Sequence, residues 1–134
     1  MEAAAASTEI WVLGWSAALL IVQIMAQATA GADRGPSYLF SSRDDGRVSK
    51  SVLAGRLTRA LNNLLETYPA FIALAVALAI TGKTGGIAAA GAVIWLVARI
   101  AYVLAYAAGV PVVRTAIWFA SIIGLVMMFI RLMF

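Results

Sequence analysis

The chain has 134 residues, 63% of them hydrophobic and only 12% charged, with a mean hydropathy of +0.95. A soluble domain carries about 25% charged residues, so the composition predicts one integral membrane domain covering residues 1–134. The absence of cysteine and histidine excludes disulfides, thiolate nucleophiles, a histidine base and Cys/His metal sites, and the net charge of +4 points to lipid headgroups or an acidic ligand rather than nucleic acid.

Four apolar runs predict four membrane-spanning helices, an all-α bundle. Each has about 20 residues or more, enough to cross a hydrocarbon core of about 30 Å. The first runs from about Ile10 to Ala30 without a charge, and Trp11 and Trp15 near its start fit an interfacial belt. It lacks the basic start and short apolar core of a cleaved signal peptide and is kept as a helix. A polar link follows, with Arg34, Arg43, Arg47 and Lys50 set against Asp33, Asp44 and Asp45, and Asp44-Asp45-Gly46 predicts a turn. The second span runs from about Leu57 to Thr81 and ends in the tight Gly82-Lys83-Thr84-Gly85-Gly86 turn. The third runs from about Ile87 to Ala108. Gly109-Val110-Pro111 then stops one helix and starts the fourth, about Val112 to Phe134. The basic first link implies a cytoplasmic side, with both termini across the membrane.

Two polar stripes cross these apolar helices. Arg56, Arg59, Asn63 and Glu66 follow one another in steps of three and four, as do Arg99, Tyr102 and Tyr106. At about 100° per residue each set falls within an arc of about 80° on one helix face. A charge near the bilayer centre costs about 3 kcal/mol or more, so such groups face a partner or a polar cavity. Arg56 and Arg59 can snorkel, but Glu66 lies about 15 Å from Arg56 along the helix. It needs a cation from elsewhere. Either it forms a structural ion pair with Arg99, or both belong to a ligand site. Asn63 can serve as a cross-helix hydrogen bond, and the tyrosines as packing. Pro69 removes the amide that would bond to Leu65 and predicts a bend beside Glu66. Arg114 opens the fourth span, where a helix N-terminus already favours an anion; together they suit an anion or a thiolate. Arg131 and Lys83 read as interface anchors.

The string from Arg56 to Phe71, RLTRALNNLLETYPAF, resembles the second-helix motif of the membrane-associated proteins in eicosanoid and glutathione metabolism. Ala98-Arg99 through Tyr102 and Tyr106, continued by Gly109-Val110-Pro111 and Arg114-Thr115, resembles that family's third helix and the start of its fourth. The resemblance covers most of the chain and is nearest to short bacterial members, which places the protein in a bacterial inner membrane. It implies a four-helix bundle assembled as a homotrimer, with glutathione as co-substrate held between subunits. Family contacts map onto Arg59, Asn63, Glu66, Arg99, Tyr102 and Tyr106, with Arg56 beside them. Arg114 matches the arginine that holds the thiolate in catalytic members, and Thr115 takes the place of a nearby hydroxyl residue. Leu61 stands where eukaryotic members carry His or Gln, and Thr67 where some carry Tyr; both remove polar contacts.

Three functions follow from these readings. The first is a glutathione-dependent transferase or peroxidase acting on lipophilic electrophiles or hydroperoxides from the bilayer. The second is a non-catalytic lipid-binding protein or an accessory subunit of a larger membrane complex, since fold alone does not settle function. The third is a small transporter, for which the first span offers only Gln23 and Gln27 in place of a buried carboxylate.

Overall fold

The structure is a computed structural model that describes residues 6–31 and 52–134. The first link, with its arginines, Lys50 and the Asp44-Asp45-Gly46 turn, lies outside the described residues. Four helices run in order: α1 (Thr8–Ala30), α2 (Val52–Ile80), α3 (Gly86–Ala108) and α4 (Pro111–Met133). All four are long and apolar enough to cross a membrane. Gly31, Val52, Gly109 and Pro111 lie at one end of the bundle, here the link end. Ser7, Gly85 and Met133 lie at the other, the far end.

The helix boundaries have local causes. Ser7 caps α1, its hydroxyl accepting from the Ile10 amide at 3.3 Å. Gly109 ends α3 in the left-handed region (φ 76°), and the Gly109 and Val110 amides donate to Tyr106 and Ala105. This paired closure satisfies carbonyls that a helix end leaves free. Pro111 then opens α4, where its missing N–H costs nothing.

Helix α2 departs from expectation at its start. It begins at Val52, five residues before Leu57, and has 29 residues. Hydropathy marks where a helix enters lipid, not where it starts. The first turns carry Arg56 and still coil, because arginine is a good helix former. The helix also continues through Pro69.

The core concentrates toward the far end. Phe71 and Trp95, both fully buried, stack with ring centroids 3.9 Å apart, and Tyr68 packs against each. Helices α3 and α4 meet backbone to backbone: a Cβ on Gly91 would lie 2.5 Å from the Gly124 carbonyl oxygen, and one on Gly124 would lie 2.6 Å from that of Gly91. Small residues at such a crossing are the usual way for helices to associate in lipid. The outward faces carry many exposed apolar side chains, among them Trp11, Val97, Leu104 and Phe119, as lipid contact requires.

Candidate functional site

The two polar stripes meet at the link end, where α2, α3 and α4 converge. Arg99 is 1% exposed and donates from Nη1 to the Asn63 Oδ1 at 2.9 Å. Its guanidinium lies 4.5 Å from the Tyr102 ring centroid. Cations hold to ring faces in this way with a strength that grows as water is removed. Further toward the link end, Tyr106 takes two cations. Arg59 donates from Nε to the Tyr106 hydroxyl at 3.1 Å and sits 5.7 Å from the ring centroid, while Arg114 sits 4.4 Å from the same centroid. Tyr102 and Tyr106 pack edge to face at 5.7 Å. Three arginines from three helices are therefore arranged around two phenol rings.

The sequence offered Arg99 as the cation for Glu66. The structure gives Arg99 to Asn63 instead, because Asn63 lies one helical turn nearer the link end on the same stripe. Among the described residues Glu66 has neither hydrogen bond nor ion pair within the subunit, and it is exposed on α2. Arg59 is exposed too, and its one hydrogen bond goes to a neutral hydroxyl. A carboxylate and a guanidinium are thus presented outward from one helix that is long and apolar enough to cross a membrane.

Arg56 is placed differently from the rest of its stripe. Its Nη1 donates to the Ala107 carbonyl at 3.1 Å, and its guanidinium packs against Gly109, where an added Cβ would meet it at 2.8 Å. It ties α2 to the turn between α3 and α4. Thr115 opens toward the site, though its hydroxyl donates to the Pro111 carbonyl at 3.1 Å, which leaves its oxygen free to accept.

A cleft of about 220 Å³ lies between α2, α3 and α4, lined by Asn63, Tyr102, Arg114, Thr115 and Trp118. Trp118 is the lining residue that sequence reasoning missed. The signal was available: it follows Arg114 by four residues and Thr115 by three, so it shares their helix face. Chemically, the cleft offers a guanidinium at a helix start, a phenol, an amide, a hydroxyl and one apolar wall. It can hold an anion or a soft nucleophile, with a carboxylate nearby for an amine. No group of His, Cys, Asp or Glu among the described residues could hold a metal ion.

The family model described as MAPEG family matches residues 10–134, nearly the whole chain. No curated protein and no solved structure matches it.

Proposed function

The chain belongs to the MAPEG family, and on that premise we propose that it is a glutathione-dependent transferase or peroxidase of the membrane, acting on lipophilic electrophiles or hydroperoxides. The family includes enzymes of both kinds. The observation that carries this reading is the exposed Glu66, without a partner among the described residues, and the exposed Arg59, bonded to the neutral Tyr106 hydroxyl, beside the arginine–tyrosine cluster. Bare in lipid, each charge would cost about 3 kcal/mol or more. A second copy of the chain and a zwitterionic ligand cover both. Glutathione has the matching groups: an ammonium for Glu66, carboxylates for Arg59 and Arg99, and a thiol. The protein supplies no thiol of its own. The assembly that fits is the homotrimer, with the site between subunits and the basic first link on the cytoplasmic side of a bacterial inner membrane.

In this mechanism Arg114 is the catalytic residue. Its guanidinium, at the start of α4, stabilises the glutathione thiolate, and the thiol proton leaves to solvent. With an electrophile, the sulfur attacks carbon, the C–S bond forms and the leaving group departs with its electron pair. With a hydroperoxide, sulfur attacks the outer peroxide oxygen. An alcohol leaves, and a second glutathione reduces the resulting sulfenic acid, giving glutathione disulfide and water. Arg59, Asn63, Glu66, Arg99, Tyr102, Tyr106 and Thr115 bind and orient, and Arg56 holds the α3–α4 turn beside them. The protein contributes electrostatic preorganisation and proximity.

Calorimetry of glutathione binding to the purified protein in detergent tests this. Saturable binding that is lost in Glu66→Gln and in Arg59→Ala supports the site. No binding at millimolar glutathione overturns it and moves the protein to the non-catalytic, lipid-binding reading. Leu61 and Thr67, which lack the polar groups of other members, already point in that direction.

A further inference from the structure

Two cations meet at the far end of the bundle. Lys83 lies just past the end of α2, and Arg131 is in the last turn of α4, so both stand where apolar helices end. They are 48 residues apart in the chain, yet each is bonded to backbone beside the other. The Lys83 Nζ donates to the Leu132 carbonyl at 2.8 Å, and the Arg131 Nε donates to the Lys83 carbonyl at 3.2 Å. These crossed bonds bring two like charges together, and neither has an acidic partner among the described residues. Glu9, the described acid of this end, is fully buried and turned to the Gly85 amide. Each crossed bond uses one donor. The ammonium keeps two N–H groups, and the guanidinium keeps four on Nη1 and Nη2. Arg131 is exposed. So are Ile80, at the end of α2, and Ile130, next to Arg131.

We propose that Lys83 and Arg131 form a headgroup site for an anionic phospholipid, whose phosphate bridges the two cations. A phosphate supplies acceptor oxygens for the free donors, and its charge offsets the repulsion between ammonium and guanidinium. The source is a lipid rather than a free anion. The cations stand where the helices leave the hydrocarbon, and Ile80 and Ile130 give acyl chains an apolar surface to lie on. An anionic headgroup fits better than a zwitterionic one, which brings its own cation to a place that already has two. Arg131 is about 25 Å along α4 from Arg114, so the site is separate from the cleft and does not depend on the glutathione reading. A phosphate seated here joins the α2–α3 turn to the end of α4, as the crossed bonds do, and so braces the fold.

Native mass spectrometry of the delipidated protein, titrated with dioleoylphosphatidylglycerol or dioleoylphosphatidylcholine, tests this. The acyl chains are the same, so the ratio of affinities reads the headgroup alone. One cation near an anionic headgroup is worth about fivefold, so wild type should prefer phosphatidylglycerol by about 25-fold. Lys83→Gln and Arg131→Gln keep a donor for each crossed bond and remove a charge. Each should lose about fivefold of the preference, and the double variant should lose all of it. The single variants cover the case in which the double variant does not fold. Lys83→Arg, which keeps the charge, should stay near wild type. Inorganic phosphate at the same concentration should not displace the lipid; displacement would make this a site for a free anion and overturn the lipid assignment. A wild type without preference, or neutral variants that keep it in full, overturns the site. Neither result touches the glutathione reading.

Discussion

The two ends of the bundle treat their charges in opposite ways. At the far end every described charge is bound to backbone. Glu9, fully buried, accepts from the Gly85 amide at 2.7 Å and so caps α3 from another helix. Lys83 donates to the Leu132 carbonyl at 2.8 Å, and Arg131 donates to the Lys83 carbonyl at 3.2 Å. These bonds tie α1, the α2–α3 turn and the end of α4 together. Among the described residues of the link end, Arg56 alone is used in this way. Arg59 bonds the Tyr106 hydroxyl, Arg99 the Asn63 amide oxygen, Arg114 rests on the Tyr106 ring face, and Glu66 has no partner among the described residues. Charges fixed to backbone are committed to the fold. Arg114, which rests on the Tyr106 ring without a side-chain hydrogen bond, can be drawn to a ligand with little loss, because a cation–π contact is worth about 0.5–2 kcal/mol. One end holds the helices in register, and the other keeps its electrostatics available.

If this division is right, variants at the two ends should separate stability from binding. The largest effect belongs to the helix crossing. Gly124→Leu places side-chain atoms against the Gly91 carbonyl and the Trp95 backbone, neither of which is a flexible side-chain tip. Overpacking of this kind costs about 1–3 kcal/mol or more, so thermal unfolding in detergent should show a large fall in Tm or no folded protein. A Gly124→Leu variant of normal Tm would mean that α3 and α4 do not meet there. Next comes Glu9. Replacing it with Leu strands the Gly85 amide, at a cost of about 1–3 kcal/mol, whereas Glu9→Gln keeps an acceptor. The Leu variant should lose clearly more Tm than the Gln variant, with the glutathione affinity of surviving folded protein kept. Equal losses would show that charge rather than the hydrogen bond is what the position needs.

The converse experiment is at the link end. Arg114→Ala removes a cation from the Tyr106 ring and breaks no hydrogen bond. It should abolish the ultraviolet thiolate absorbance of bound glutathione while moving Tm by less than Glu9→Leu does. Survival of that absorbance would take the thiolate role away from Arg114.

How much of this was legible in the sequence depends on the range of each interaction. Helix number, the three links and the shared faces of the two stripes follow from periodicity, which is local. The choice of Asn63 over Glu66 as the partner of Arg99 does not, since it spans 36 residues and turns on how far α2 and α3 slide along each other. Glu9 looked like a residue just outside the first span. Its buried contact with Gly85, 76 residues away, appears only once the α2–α3 turn folds against α1. Trp118 was on the right face to be noticed, but an aromatic residue at helical spacing in an apolar run is indistinguishable from lipid contact until the cleft beside it exists.

The smallest expected effect tests the one residue that belongs to both ends' logic. Arg56 sits in the ligand stripe by sequence, yet it is bonded to Ala107 and packed on Gly109 like the far-end cations. If it acts through the turn, Arg56→Lys should recover part of what Arg56→Leu loses, because an ammonium can still reach a carbonyl. The loss itself should be about 1 kcal/mol, the net worth of a single exchanged hydrogen bond. Binding should weaken only modestly, through the altered placement of Arg114 at the start of α4, and in step with the change in Tm. A glutathione affinity that collapses in Arg56→Leu while Tm holds would instead make Arg56 a direct ligand contact. It would also extend the set of uncommitted charges to the full stripe from Arg56 to Glu66.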